Sequence, residues 1–134
     1  MQTPITLLYV GIFAIFALVL SFRAGFYRGS VGIPILYGDP VDKELVERVR
    51  RHQNFLEYVP MVLILMAVIE LNGGSTRFLF AIGFLLVVAR LAHAVGLKHD
   101  NMGHVGRLIG AAGTALITLV CACYALWMAV AALA

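Results

Sequence analysis

Arg50, Asn54 and Glu57 recur at spacings of four and three residues, so on a helix they share one face. A guanidinium, an amide and a carboxylate in one stripe can grip a zwitterion. The arginine takes a carboxylate, the glutamate an ammonium group, and the amide either of them. Tyr58 lies one turn beyond Asn54, and Arg51 lies one turn before it on the neighbouring stripe. Further along the chain Arg90 and His93 stand one turn apart, and Arg107 follows a polar stretch. The basic groups are in excess, because Glu57 alone cannot neutralise Arg50, Arg51, Arg90 and Arg107 in low-dielectric surroundings. Such an excess is stable where water or an anionic guest is present. The pattern therefore points to a cavity for a small molecule that carries carboxylates. For Glu57 and Arg90 a purely structural ion pair between two helices is the alternative.

The elements that must position these groups are built for lipid. The chain has 134 residues, of which 62% are hydrophobic and 13% charged, and its mean hydropathy is +0.96. Soluble domains hold about 45–50% apolar and about 25% charged residues. The net charge of +3 is modest, and the basic residues are not interleaved with aromatics, which argues against a nucleic-acid partner. Cys121 and Cys123 stand two apart in an apolar run, point away from each other on a helix, and read as small hydrophobes.

Four apolar stretches predict four transmembrane helices, at about 5–27, 41–71, 77–97 and 105–132, in a single all-α membrane domain, a four-helix bundle. The first lacks a basic leader and reads as a retained span rather than a cleaved signal peptide. "GSVGIPILYGDP" reads as a loop, with Asp39 or Asp42 capping the second helix. That helix opens with Glu44–Arg48 and Glu47–Arg51 pairs at i,i+4, the pattern of a water-exposed extension. Pro60 predicts a kink that frees the carbonyl near Leu56. "NGGST" is a tight turn and "KHDNMGH" a polar loop. Gly103, Gly106, Gly110 and Gly113 share a face and predict close helix packing, within the bundle or between subunits.

Nine of the ten lysines and arginines fall at one end of this arrangement, and only Arg77 at the other. The positive-inside rule places the basic end in the cytoplasm, with both termini opposite. Only the twelve residues Tyr58 to Ile69 separate Glu57 from Glu70. They span about 18 Å of helix against a hydrocarbon core of about 30 Å. Polar groups must then lie at or below the interface and turn inward to partners.

At these residues the sequence resembles the MAPEG superfamily, the membrane-associated proteins of eicosanoid and glutathione metabolism. The pattern R-x-x-x-N-x-x-E-Y-x-P, formed by Arg50, Asn54, Glu57, Tyr58 and Pro60, looks like its second-span signature, and "ARLAH", Ala89 to His93, like its third-span motif. The resemblance covers nearly the whole chain. It implies a homotrimer of four-helix subunits that binds glutathione between neighbours at the cytoplasmic end. Arg50, Arg51, Asn54, Glu57 and Tyr58 would bind the tripeptide, with Glu57 receiving its amino group and the arginines its carboxylates. Arg90 and His93 would belong to the same layer, and Arg107 would stabilise the thiolate.

Many eicosanoid-forming members have a tyrosine one turn beyond the His93 position, where this chain has Leu97. That difference favours a bacterial-like glutathione transferase, or a glutathione peroxidase, over a specialised synthase. The chemistry fits on its own terms. A free thiol titrates at about 8.5, and a nearby guanidinium favours the thiolate. The acceptor would be a hydrophobic electrophile arriving through the bilayer, in this reading a bacterial inner membrane.

Three other readings compete. A small multidrug exporter needs an ionisable group at mid-membrane, and the first span has none. A haem or metal protein would use His52, His93, His99 and His104, but no pair has i,i+4 spacing, and solvated or satisfied histidines are the simpler account. A non-catalytic trimer that binds glutathione or lipid would carry much the same pocket.

Overall fold

The computed structural model describes residues 2–101 and 103–134. The described residues form four helices: α1 (Pro4–Ser30), α2 (Lys43–Leu71), α3 (Thr76–Gly96) and α4 (Val105–Leu133). The shortest, α3, has 21 residues, about 32 Å at 1.5 Å per residue, so each helix is long enough to cross a bilayer. All four carry an apolar window of membrane-spanning length. The expected polar loop before α4 includes Met102, which lies outside the described residues.

Local chemistry sets the helix ends. Pro4 occupies the first turn of α1, where a missing N–H does no harm. Asp42 Oδ1 accepts from Leu45 N at 2.8 Å, so Asp42 rather than Asp39 caps α2. Ser75 caps α3, and His104 Nδ1 accepts from Gly106 N at the start of α4. Gly73, at φ 76°, provides the left-handed residue of the turn between α2 and α3. The helix α2 runs unbroken through Pro60.

The bundle is apolar outside as well as inside. Phe13, Phe55, Val59, Val62, Met66, Leu79 and Leu86 are buried, and Phe55 holds Phe13 and Phe16 at ring distances of 5.9 and 5.3 Å. Leu7, Ile15, Phe26, Leu108 and Trp127 are each at least 65% exposed. An exterior of this kind suits lipid, where helices associate by close packing rather than by escape from water.

Polar groups at depth are matched across helices. Glu70, near the end of α2, accepts from Ile5 N at 2.9 Å and Thr6 N at 2.8 Å. A carboxylate thus meets the positive end of the α1 dipole, 65 residues away in sequence. Tyr9 donates to the Phe80 carbonyl at 2.9 Å while its ring lies on Gly83, joining α1 to α3.

The most extensive helix contact is between α3 and α4, and glycine makes it possible. A Cβ on Gly110 would run into His93 and come within 2.6 Å of the Ala89 carbonyl oxygen. On Gly106 it would come within 2.8 Å of the Ala92 carbonyl oxygen. Gly113 would meet only ordinary contact at 3.4 Å, and Gly103 lies in the open. Two of the four glycines of the stripe therefore make the close approach, joined by Gly96 from α3, whose Cβ would strike the Arg107 nitrogen.

Gly110→Ala is expected to destabilise the detergent-solubilised protein by about 1–3 kcal/mol through overpacking. Gly113→Ala gains helix propensity without a clash and should hold or raise the melting temperature. Thermal unfolding followed by circular dichroism separates the two, and equal effects would refute the assignment of the contact.

Candidate functional site

The site is assembled from the basic end of α2 upward. Glu44 and Arg48 pair at 2.6 Å on an exposed surface, as their spacing predicts. Arg48 also donates to the Arg23 carbonyl at 3.3 Å and lies 4.5 Å over the Tyr27 ring. The Tyr27 hydroxyl in turn donates to Asp42 at 3.2 Å. These contacts fasten the start of α2 to the end of α1.

Glu47 departs from the water-exposed extension its spacing suggests. It pairs with Arg51, but both side chains are buried, at 7% and 10% exposure. The reason lies beyond α3, where residues 97–99 fold back over them. Arg51 donates to the Leu97 carbonyl at 3.2 and 2.8 Å. Glu47 Oε2 accepts from the His99 backbone at 2.8 Å and meets its ring Nδ1 at 3.0 Å.

Arg90 lies deeper, with 2% exposure. It donates to Asn54 Oδ1 at 2.9 Å and approaches the Thr114 hydroxyl at 3.5 Å and the Phe55 ring at 5.8 Å. Among the described residues it forms no salt bridge, so the Glu57–Arg90 pair is absent. Helical phase explains this. At about 100° per residue, Asn54 stands between Phe55, buried inside the bundle against α1 and near Arg90, and Glu57, exposed on the other side. The guanidinium meets the amide and never reaches the carboxylate. Nε of Arg90 and Nδ1 of His93 are buried without hydrogen-bond partners.

Above this layer opens a cavity of about 420 Å³. Val46, Glu47, Arg50, Asn54 and Glu57 form its α2 wall, with Glu47 already engaged by Arg51 and His99, while Leu97, Lys98 and His99 line another side and Arg107 enters from α4. The close approach of Gly96 and Gly106 is what sets Arg107 against the end of α3. The structure thus gathers Arg50, Asn54, Glu57 and Arg107 around one space. Arg90 reaches that space only through Asn54. Arg51 turns to Leu97, His93 packs beneath Gly110, and Tyr58, 47% exposed, faces outward. The spacing of motifs gave no sign of Lys98 and His99, which the fold-back of the chain brings in. Only the Glu47–Arg51 pair hinted at an anchor there.

An arginine can only donate, so Asn54 presents its oxygen to Arg90 and turns its NH₂ edge away from it. On the cavity wall the asparagine therefore offers a donor, polarised by the cation behind it. With Arg50 and Arg107 this makes a surface suited to anionic oxygens, and Glu57 adds one place for a cation.

Four apolar helices of membrane-spanning length, with a cavity between α2, α4 and residues 97–99 at the basic end, define a multi-pass integral membrane protein. Residues 6–130 match the model of the MAPEG family, and the chain belongs to that family, a superfamily of membrane proteins of glutathione and eicosanoid metabolism. It is similar to the inner membrane protein YecN of Escherichia coli K12, with 33% identity over 82 residues, 61% of this chain and 63% of that protein. The counterpart from Escherichia coli O6:H1 matches to the same extent. The aligned stretch spans less than two thirds of those relatives. No solved structure matches the chain.

Asn54→Asp tests the geometry directly. The new carboxylate would pair with Arg90, so the melting temperature should hold or rise, whereas anion affinity of the cavity should fall by about tenfold as a donor becomes an acceptor. A parallel loss of stability and binding would contradict the arrangement.

Proposed function

We propose that the protein is a membrane-bound glutathione transferase, with peroxidase activity as a variant of the same chemistry. The observation that carries this reading is the convergence of Arg50, Asn54, Glu57 and Arg107 on one cavity. Glutathione has two carboxylates, one ammonium group and a thiol, and the wall answers these groups in kind. Arg50 and the Asn54 amide bind carboxylate oxygens, Glu57 receives the ammonium group, and Arg107 stands by the sulfur and favours its thiolate form. Bound glutathione supplies the nucleophile: its sulfur forms a bond to an electrophilic carbon, the leaving group departs with its electron pair, and the thiol proton passes to water. The electrophile is a hydrophobic molecule dissolved in the bilayer, which reaches the cavity from the side.

Glu57 and Tyr58 bear on a further point. Both are exposed on the surface of the single subunit, and a lipid-facing carboxylate costs several kcal/mol. A neighbouring subunit over this face, in a homotrimer, removes that penalty and completes the site. The basic end faces the cytoplasm by the positive-inside rule, and the membrane is the bacterial inner membrane, as the name of the Escherichia coli relative states for that protein.

Calorimetry of glutathione binding to detergent-purified protein tests the reading. Arg50→Ala and Glu57→Ala should each weaken binding by about ten- to a hundredfold, and Arg107→Ala should slow conjugation of an aryl halide by about a hundredfold. Binding without turnover in the parent would favour a glutathione-binding scaffold. Absence of binding would refute the proposal.

A further inference from the structure

Residues 97–99 form one side of the cavity without belonging to a helix. Their backbone leaves α3 in an extended conformation at Leu97. Hydrogen bonds from α2 hold two of the three in place. Arg51 holds the Leu97 carbonyl, and Glu47 holds both the backbone N–H and the ring of His99. Helix stabilisation alone does not account for the Glu47–Arg51 pair. On an exposed helix such a pair is worth about 0.3–0.5 kcal/mol, and burial adds a desolvation penalty that often exceeds the attraction. What the pair does visibly is fix a strand of irregular chain against a helix.

Lys98 lies between the two held residues. Its Nζ forms a long ion pair with Glu47 Oε1 at 3.9 Å, too far for a hydrogen bond, and its side chain is 48% exposed. Glu47 already serves Arg51 and the backbone N–H and ring Nδ1 of His99. The lysine ammonium therefore keeps its hydrogen-bond donors for a guest in the cavity it lines.

We infer that Glu47 and Arg51 act as a clamp on residues 97–99, and that the clamp makes Lys98 a further carboxylate-binding residue of the cavity. The assignment of a glutathione carboxylate to Lys98 rests on the function proposed above; the clamp does not. Glu47 and Arg51 are positioning residues here. Arg51 lies outside the cavity lining, and Glu47, which borders the cavity, is already engaged by Arg51 and His99, so both act by setting where the lysine stands.

Two measurements on the full-length protein in detergent test this. The first is calorimetry with glutathione. Lys98→Ala should weaken binding about tenfold, Lys98→Arg should restore it to within about twofold, and Glu47→Gln should weaken it about tenfold. Glu47→Gln combined with Lys98→Ala should be little worse than either alone, because both remove the same contact. The second is trypsin cleavage of the Lys98–His99 bond, followed by the mass of the fragment 1–98. Glu47→Gln should speed that cut about tenfold, with cleavage at Arg77 unchanged. His99→Ala, which leaves the Glu47–Arg51 pair intact, should speed it less and serves if Glu47→Gln does not fold.

Parent-like affinity in Lys98→Ala, or fully additive losses in the double variant, would overturn the lysine assignment while leaving the glutathione reading intact. No binding in the parent would overturn the glutathione reading and the lysine assignment together. The clamp is then still decided by the cleavage rate, and an unchanged rate in both variants would overturn it.

Discussion

A guanidinium group buried in an apolar bundle dictates much of the surrounding structure. Arg90 has no carboxylate partner among the described residues, and its neighbours are arranged to make its charge tolerable. Asn54 supplies an oxygen, Phe55 a ring face, and Thr114 a hydroxyl that itself donates to the Gly110 carbonyl at 2.7 Å. Asn54 and Phe55 come from α2 and Thr114 from α4, so the cation ties α2, α3 and α4 to one level. Unlike a full ion pair, this set of dipoles leaves net positive charge behind the cavity wall. A polar space at that level, rather than a dry core, follows from the shortage of negative partners.

The glycines and the loop act on the same region by different means. Glycine lets α3 and α4 touch along their backbones, which brings Arg107 beside residues that would otherwise stand a helix diameter away. Residues 97–99 then complete the enclosure by folding back onto α2. The fold thereby gathers cations from two helices and a loop around one cavity.

Much of this was legible in the residues. Hydropathy marked four spans because lipid leaves little choice for a long apolar run. The stripe of Arg50, Asn54 and Glu57 was legible because helical phase fixes which side chains share a face. Phase alone does not say how a helix is rotated against its neighbours, and so the meeting of Arg90 with Asn54 rather than Glu57 was hidden. The burial of Glu47 was hidden for another reason. It depends on non-helical chain some fifty residues later, and periodicity carries no information about where such a segment returns. Of the glycine stripe, the shared face was readable, but only Gly106 and Gly110 meet α3 closely, since the buried face of α4 continues through Thr114, Ile117 and Cys121 and leaves Gly113 at its edge.

The fastening of α1 to α2 at both ends bears on how the molecule can deform. Glu70 holds one end, while Tyr27, Asp42 and Arg48 hold the other. Two rods joined top and bottom behave as a single plank, and α3 with α4, locked by glycine, form a second. The cavity sits on the seam between the planks, with α2 on one bank and Arg107 on the other. The bonds from Arg90 to Asn54 and from Arg51 to Leu97 bridge that seam, so any change in the width of the chamber has to work against them.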